Sequence, residues 1–172
     1  MRPADTDIES VPSVRGVLSA QECLRTGRAI AAMQQSSGAI PWFPGGHTDP
    51  WDHIESAMAL TATGLRDEAD AAFEWSRCTQ RPDGSWPMQF RGDIVENPDS
   101  DSNFAAYIAV GVFYYYLITQ DRAFLEYIWP TVSAGIDYAV ELQGPGGEIY
   151  WARNPQGRID PLSLLTGSCS VY

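Results

Sequence analysis

Apolar residues recur at helical spacing along most of this chain, and half-polar segments alternate with almost wholly apolar ones. Met1 to Val17 is polar and proline-bearing and reads as a flexible leader, with the folded part starting at Leu18. There, Ser19-Ala20-Gln21-Glu22 has the form of a capping box, in which the serine hydroxyl accepts from the Glu22 amide and Glu22 reaches back to the Ser19 amide. A first helix is predicted from this box to about Gln35. Asp49-Pro50 opens a second, since proline is tolerated at the first helical position, and it continues to Gly64. A third, from about Arg66 to Thr79, has one charged and one apolar face, as an outer amphipathic helix should. The fourth, from about Ser102 to Thr119, contains Phe104 to Ile118, which is apolar or aromatic throughout. That run falls short of the roughly twenty residues a membrane span needs, so it reads as a buried helix with no wet side. The fifth is predicted to break at Trp129-Pro130, because the residue before proline disfavours the helical conformation, and to resume from about Thr131 to Leu142.

A glutamine followed four residues later by glycine closes three of these helical stretches: Gln34 with Gly38, Gln80 with Gly84, and Gln143 with Gly147. Each glycine falls where a helix must end and the backbone turn through positive φ. An aromatic residue lies five before the glutamine in two copies, Trp75 and Tyr138, with Ala29 in the first. After each turn come a loop and a new helix start, so the repeating unit is helix, turn, loop, helix, at a spacing that marks arrays of supersecondary units. The fold class that follows is all-α: a solenoid of helical hairpins closed into an α/α toroid, with outer helices wet on one face and inner helices touching neighbours on nearly every side. The chain stops on Leu164 to Tyr172, which reads as a helix opening. The expectation is therefore an incomplete domain over residues 18–172, about half a ring.

Composition narrows the function classes. The formal charge is −11, and Lys and Arg are scattered instead of forming a stripe, which argues against a nucleic-acid partner. Cys23, Cys78 and Cys169 are odd in number and far apart, so they read as reduced thiols and not as a disulfide framework. Residues 1–16 contain no apolar core of a signal peptide, and a cytoplasmic location is the default expectation.

Gln80 to Trp86, Gln-x-x-x-Gly-x-Trp, resembles the QW repeat of the terpenoid cyclase and prenyltransferase α/α toroids. The stretch from Gly38 to Glu55 is similar to the opening of a set of actinobacterial prenyltransferase-like proteins. A second likeness covers Asp99 to Gln143: Asp-Ser-Asp-Ser-Asn, an aromatic inner helix, Thr119-Gln120-Asp121 and Trp129-Pro130 resemble the six-hairpin glycosidases, including the glucoamylase-like group. Both likenesses imply a toroid of about six hairpins. The prenyltransferase motifs are nevertheless missing. There is no Asp-Asp-x-x-Asp, there is no Asp-x-Cys zinc pair, and Asp99-Ser100-Asp101-Ser102 ends in serine where the squalene-type cyclases have a final aspartate. The resemblance implies an N-terminal fragment of a prenyltransferase-like enzyme, inactive alone. The alternative is a carbohydrate enzyme working through paired carboxylates, and a third reading is a non-catalytic module that binds a partner through its inner helices. The substrate is accordingly an isoprenoid or a sugar. The sequence names no cofactor or metal ligand set, and self-association or a partner chain would complete the ring.

In such a toroid the inner-helix N-termini converge on one face, where acids are both structurally comfortable and well placed for chemistry. One cluster there is Asp49, Asp52, His53 and Glu55, walled by Trp42, Phe43 and Trp51. The other is Glu96, Asp99 and Asp101 beside Asn103 and Tyr107. Singly, each acid is explained by first-turn capping. Together they supply the two carboxylates that acid and base work at an acetal carbon requires. Asp52, Glu55, Asp99 and Asp101 are thus the candidate catalytic residues, and Trp42, Trp51, His53, Asn103 and Tyr107 the candidate substrate-binding ones. Arg91, Arg153 and Arg158, in the loops, could serve a diphosphate or act as surface ion-pair partners. Trp42, Trp86 and Trp151 follow the repeat glycines and are expected to pack over the hairpin ends.

Overall fold

The computed structural model describes residues 11–172, so the first ten residues of the expected leader lie outside the described residues. From there on, Val11 is buried and the Val14 amide donates to the Leu18 carbonyl at 2.7 Å, closing a tight turn ahead of the first helix. Helices α1 (Ala20–Met33), α2 (Pro50–Ala62), α3 (Arg66–Thr79), α4 (Ser102–Thr119), α5 (Arg122–Glu141) and α6 (Leu165–Val171) alternate between two layers. The inner row is α2, α4 and α6, with α4 packed between its two neighbours, while α1 and α3 back α2 and α5 backs α4. The Ser19–Glu22 box forms as expected, with Glu22 N donating to Ser19 Oγ at 3.3 Å and Ser19 N donating to Glu22 Oε2 at 2.8 Å.

Two helices differ from expectation. In α5 the chain runs unbroken through Pro130. The proline removes one amide donor, but it and Glu126, whose carbonyl loses its partner, both lie on the exposed outer side, where water can satisfy the group. In α4 the dry side is real but partial: Ala105, Ala106, Ile108, Val112 and Tyr115 are buried, whereas Phe113 is 61% and Leu117 54% exposed. It is the one described helix long and apolar enough to be considered for a membrane, and its packing on α2, α5 and α6 accounts for the buried part of that composition.

Five short strands were not anticipated. β1 (Gln89–Arg91) and β2 (Ile94–Asn97) form a hairpin across Gly92-Asp93. β3 (Ser100–Asp101) pairs antiparallel with β4 (Ala152–Arg153), which pairs with β5 (Ile159–Asp160). β1, β2 and β3 lie in the loop that enters α4 and β4 and β5 in the loop that enters α6, so all gather around the inner-helix starts.

The glutamine repeat is a joint between successive outer helices. Gln34 Nε2 donates to Gly38 O within its own turn at 3.0 Å and to Glu68 O in α3 at 2.9 Å. Gln80 Nε2 does the same to Gly84 O at 3.0 Å and to Thr131 O in α5 at 2.9 Å. Among the described residues, Gln143 Nε2 reaches only its own turn, at Gly147 O, 3.1 Å away. The glycines follow suit. Gly38 and Gly84 have φ of +95° and +85°, and a Cβ on either would stand 2.2 Å from Ala71 O or 2.1 Å from Ala134 O, whereas Gly147, at φ +92°, faces open space. In the second copy Trp86 is buried and its indole donates to Ser76 O at 2.8 Å, the hairpin-end packing expected of it.

Gly84→Ala and Gly147→Ala separate these roles. Both carry the left-handed backbone cost of about 1 kcal/mol, but only Gly84→Ala drives a methyl into a neighbouring helix backbone. Urea melts are expected to show a loss of roughly 3 kcal/mol or more for Gly84→Ala and about 1 kcal/mol for Gly147→Ala. Equal losses would contradict the joint.

Candidate active site

Each of the two long inner helices begins with an aspartate that caps it and is itself held by an indole. Asp49 Oδ1 accepts the Asp52 amide at 3.0 Å, and its Oδ2 accepts the Trp42 indole N–H. Asp101 Oδ1 accepts the amides of Asn103 and Phe104 at 2.7 and 3.1 Å, and its Oδ2 accepts the Trp151 indole N–H. Local pairing brings these groups together. Thr48, just before α2, exchanges both backbone hydrogen bonds with Phe90 of β1 at 2.8 Å, and Met88 N donates to Asp99 O at 2.8 Å. The β3–β4 ladder sets Asp101 opposite Ala152, and Ser102 N donates to Trp151 O at 2.9 Å, which places the Trp151 indole over the α4 cap.

The result is a cavity of about 220 Å³ lined by Asp49, Asp52 and Asp101 together with Trp42, Trp51 and Trp151. Of the predicted residues, Asp52, Asp101, Trp42 and Trp51 meet here. Glu55 stands beside them: it accepts from the Trp51 indole at 2.8 Å and the Tyr107 hydroxyl at 3.1 Å, and Trp51 and Tyr107 stack with centroids 4.9 Å apart. Its carboxyl lines a neighbouring cavity of about 450 Å³ that shares Trp42 and Asp52 with the first. Asp99 lies on the other side, in a cavity of about 390 Å³ that also contains Arg158.

Three expectations are corrected. His53 is fully buried beneath the site: its Nδ1 accepts the Ile40 amide at 3.2 Å and its Nε2 donates to Ala72 O at 2.9 Å, so no ring nitrogen is left for a ligand. Asn103 is buried in the first turn of α4 and lines none of the three cavities, and its Oδ1 has no partner among the described residues. Trp42 and Trp151 do not simply cover hairpin ends, because their indoles clamp the two capping carboxylates. Trp151 was missed as a site residue, although a signal for it exists. It follows Gly147 by four positions, as Trp42 follows Gly38. Glu96 is committed elsewhere, paired with Arg91 Nε at 2.5 Å.

The electrostatics set one carboxyl apart. Partial burial, then the charge and hydrogen bond of Asp49, then the charge of Glu55, push Asp52 up from the ordinary 3.8 to about 6, against a lowering contribution from Trp42. Asp101 is also raised, chiefly by burial, while the Phe104 amide, the Trp151 indole and the Asn103 amide oppose the shift. Burial pushes His53 down to about 4, so it is a neutral hydrogen-bonding strut at ordinary pH. Among the described residues no three His, Cys, Asp or Glu side chains group as a metal site.

No family model matches the chain. It is 57% identical over 166 residues to the MMP endo-(1,4)-3-O-methyl-α-D-mannosidase of Mycolicibacterium hassiacum, a match that takes in 96% of this chain and 46% of that protein. The chain thus spans about half the length of this curated relative. Among solved structures it resembles cellobiose 2-epimerase from Bacillus thermoamylovorans, with a TM-score of 0.61 at 16% identity over 84% of this chain and 44% of the other. It also resembles the endo-β-1,4-glucanase CMCax from Acetobacter xylinum, with a TM-score of 0.55 at 13% identity over 75% and 41%. At these identities the structural likeness is one of fold. These comparisons favour the six-hairpin glycosidase likeness and give the prenyltransferase likeness no support, and the hairpins described above are part of an α/α toroid.

Proposed function

We propose that this chain forms the acid-bearing part of a glycoside hydrolase that cuts an O-methylated, α-(1,4)-linked mannose polymer from within. The observation that carries this reading is the convergence of Asp49, Asp52 and Asp101 with Trp42, Trp51 and Trp151 in one cavity at two adjacent inner-helix starts. The strong likeness to the Mycolicibacterium mannosidase supplies the substrate class. That relative is about twice as long, so turnover is proposed for a polypeptide in which further hairpins join these, and sugar binding for this chain.

Glycoside hydrolysis needs one carboxyl that still holds its proton near neutral pH and one carboxylate that does not. Asp52, pushed up to about 6, fits the first role: it delivers its proton to the glycosidic oxygen as the bond from that oxygen to the anomeric carbon breaks. The negative Asp49 beside it is the largest charge effect keeping that proton in place. We assign Asp101, which lines the same cavity, to the opposing carboxylate, the base that takes a proton from the water whose oxygen bonds to the anomeric carbon. The indoles of Trp42, Trp51 and Trp151 supply flat apolar faces on which pyranose rings stack.

A prenyl diphosphate fits this cavity poorly, because three carboxylates line it and two of the three loop arginines, Arg91 and Arg153, are engaged elsewhere. Arg91 holds Glu96 and donates to Gly45 O at 2.6 Å, while Arg153 lies over the Tyr138 ring and pairs with Glu141.

Two expected outcomes follow from the protonated Asp52. In a polypeptide in which further hairpins join these, Asp52→Asn is expected to lower kcat on 3-O-methylated α-(1,4)-mannan by about 10³-fold. The wild-type kcat/KM falls as pH rises past about 6, as the acid loses its proton, and EDTA has no effect. Activity that survives the substitution, or that a chelator abolishes and a prenyl diphosphate protects, would overturn the reading. The second outcome concerns stability. Because the folded-state pKa of Asp52 lies above the unfolded value, its contribution is fully present below about pH 4 and is lost as pH rises through about 6. Asp52→Asn removes that loss. In paired urea melts its stability relative to wild type is expected to improve between pH 4 and pH 7 by on the order of 1 kcal/mol, a figure reduced for solvent screening of a partly open carboxyl. His53 is common to both proteins and cancels. A difference independent of pH would contradict the raised pKa.

A further inference from the structure

The three cavities of the site adjoin in a row through shared wall residues, which makes a trough of three lobes. The 450 Å³ and 220 Å³ lobes share Trp42 and Asp52, and the 220 Å³ and 390 Å³ lobes share Met88, Asn97 and Trp151. Asp52 therefore stands at a junction, with binding space on both sides of it. The two outer lobes differ in chemistry. The lobe beyond Trp42 is walled by hydrocarbon and aromatic side chains, Ile30 and Met33 from α1, Ile40 and Phe43 from the loop and Ala59 from α2, with Asp52, Glu55 and Ser56 along its α2 side. The lobe beyond Trp151 is rich in polar groups, among them Asn97, Asp99, Asn154, Arg158 and Asp160.

An unmodified sugar carries hydroxyls around its ring, and each one that is buried without a partner is penalised. The apolar lobe offers few partners. A methyl ether is different: it has no O–H to leave unpaired, and its methyl group gains contact with the kind of wall that Ile30, Met33 and Phe43 provide. The polar lobe has donors and acceptors enough for hydroxyl-bearing rings.

We infer that the apolar lobe between α1 and the loop carrying Phe43 is the subsite that reads O-methyl groups, while the lobe around Arg158 accepts methylated and unmethylated rings alike. The inference rests on the sugar-hydrolase reading above and adds the residues that set selectivity. A pocket that recognises one methyl group discriminates by about tenfold or somewhat more, since a hydrophobic wall cannot do much better.

The test compares the affinities of the protein for a 3-O-methylated α-(1,4)-mannotetraose and for the same oligosaccharide without methyl groups, by titration calorimetry. Wild type is expected to prefer the methylated ligand by about tenfold. Phe43→Ser and Met33→Thr each bring that ratio toward unity, whereas Arg158→Ala weakens both ligands and leaves the ratio unchanged. A ratio that stays near tenfold in both apolar-lobe variants, or that collapses in Arg158→Ala, overturns the methyl subsite and leaves the sugar reading standing. Failure of wild type to bind either oligosaccharide overturns both.

Discussion

The site depends on one arrangement used twice: an aspartate that caps an inner helix and is clamped by an indole from a neighbouring loop. A cap needs only one carboxylate oxygen to satisfy the orphan amides of the first turn. In both Asp49 and Asp101 that leaves Oδ2, which takes the N–H of Trp42 or Trp151. Each clamp fixes a carboxylate, the start of a helix and an aromatic wall together. Because α2 and α4 are adjacent in the inner row, the two clamps face one cavity, and the charge of Asp49 adds to the burial that raises both Asp52 and Asp101. Helix capping and site chemistry are thus performed by the same atoms.

The outer layer keeps this arrangement in register. The glutamine at the end of each of the first two outer helices bonds the backbone of the following one, and the glycine beyond it lies so close to that helix that no side chain fits. Successive hairpins are therefore locked by backbone contacts that do not depend on which side chains line the trough. A repeat of this kind lets the loops on the cap side vary in length and content, including the small β-hairpin and the β3–β4–β5 ladder, without disturbing the helices beneath.

Much of this was legible in the sequence, and the reasons are specific. Helix starts carry local chemistry, so the Ser19–Glu22 box, Asp49-Pro50 and the beginning of α4 could be read from a few residues each. The glutamine–glycine repeat revealed the hairpin array. Elsewhere tertiary context decided. Pro130 does not break α5 because its orphaned carbonyl lies on the wet side of the helix. His53, next to Asp52 in sequence, points the other way around α2 and is used up by Ile40 and Ala72. Asn103 is two residues from a site aspartate and yet buried away from the cavities. Gly92-Asp93 between short alternating stretches was a hairpin signal that the helical periodicity overshadowed. Trp151 arrives at Asp101 through strand pairing across fifty residues, which no local pattern displays.

The most direct test of this account is a crystal structure of the protein soaked with a 3-O-methylated α-(1,4)-manno-oligosaccharide. The account predicts sugar rings stacked on the indoles of Trp42 and Trp151, with a glycosidic oxygen within about 3 Å of the Asp52 carboxyl. An oligosaccharide bound outside the trough, or one lying in it with Asp52 out of reach of every glycosidic oxygen, would contradict it.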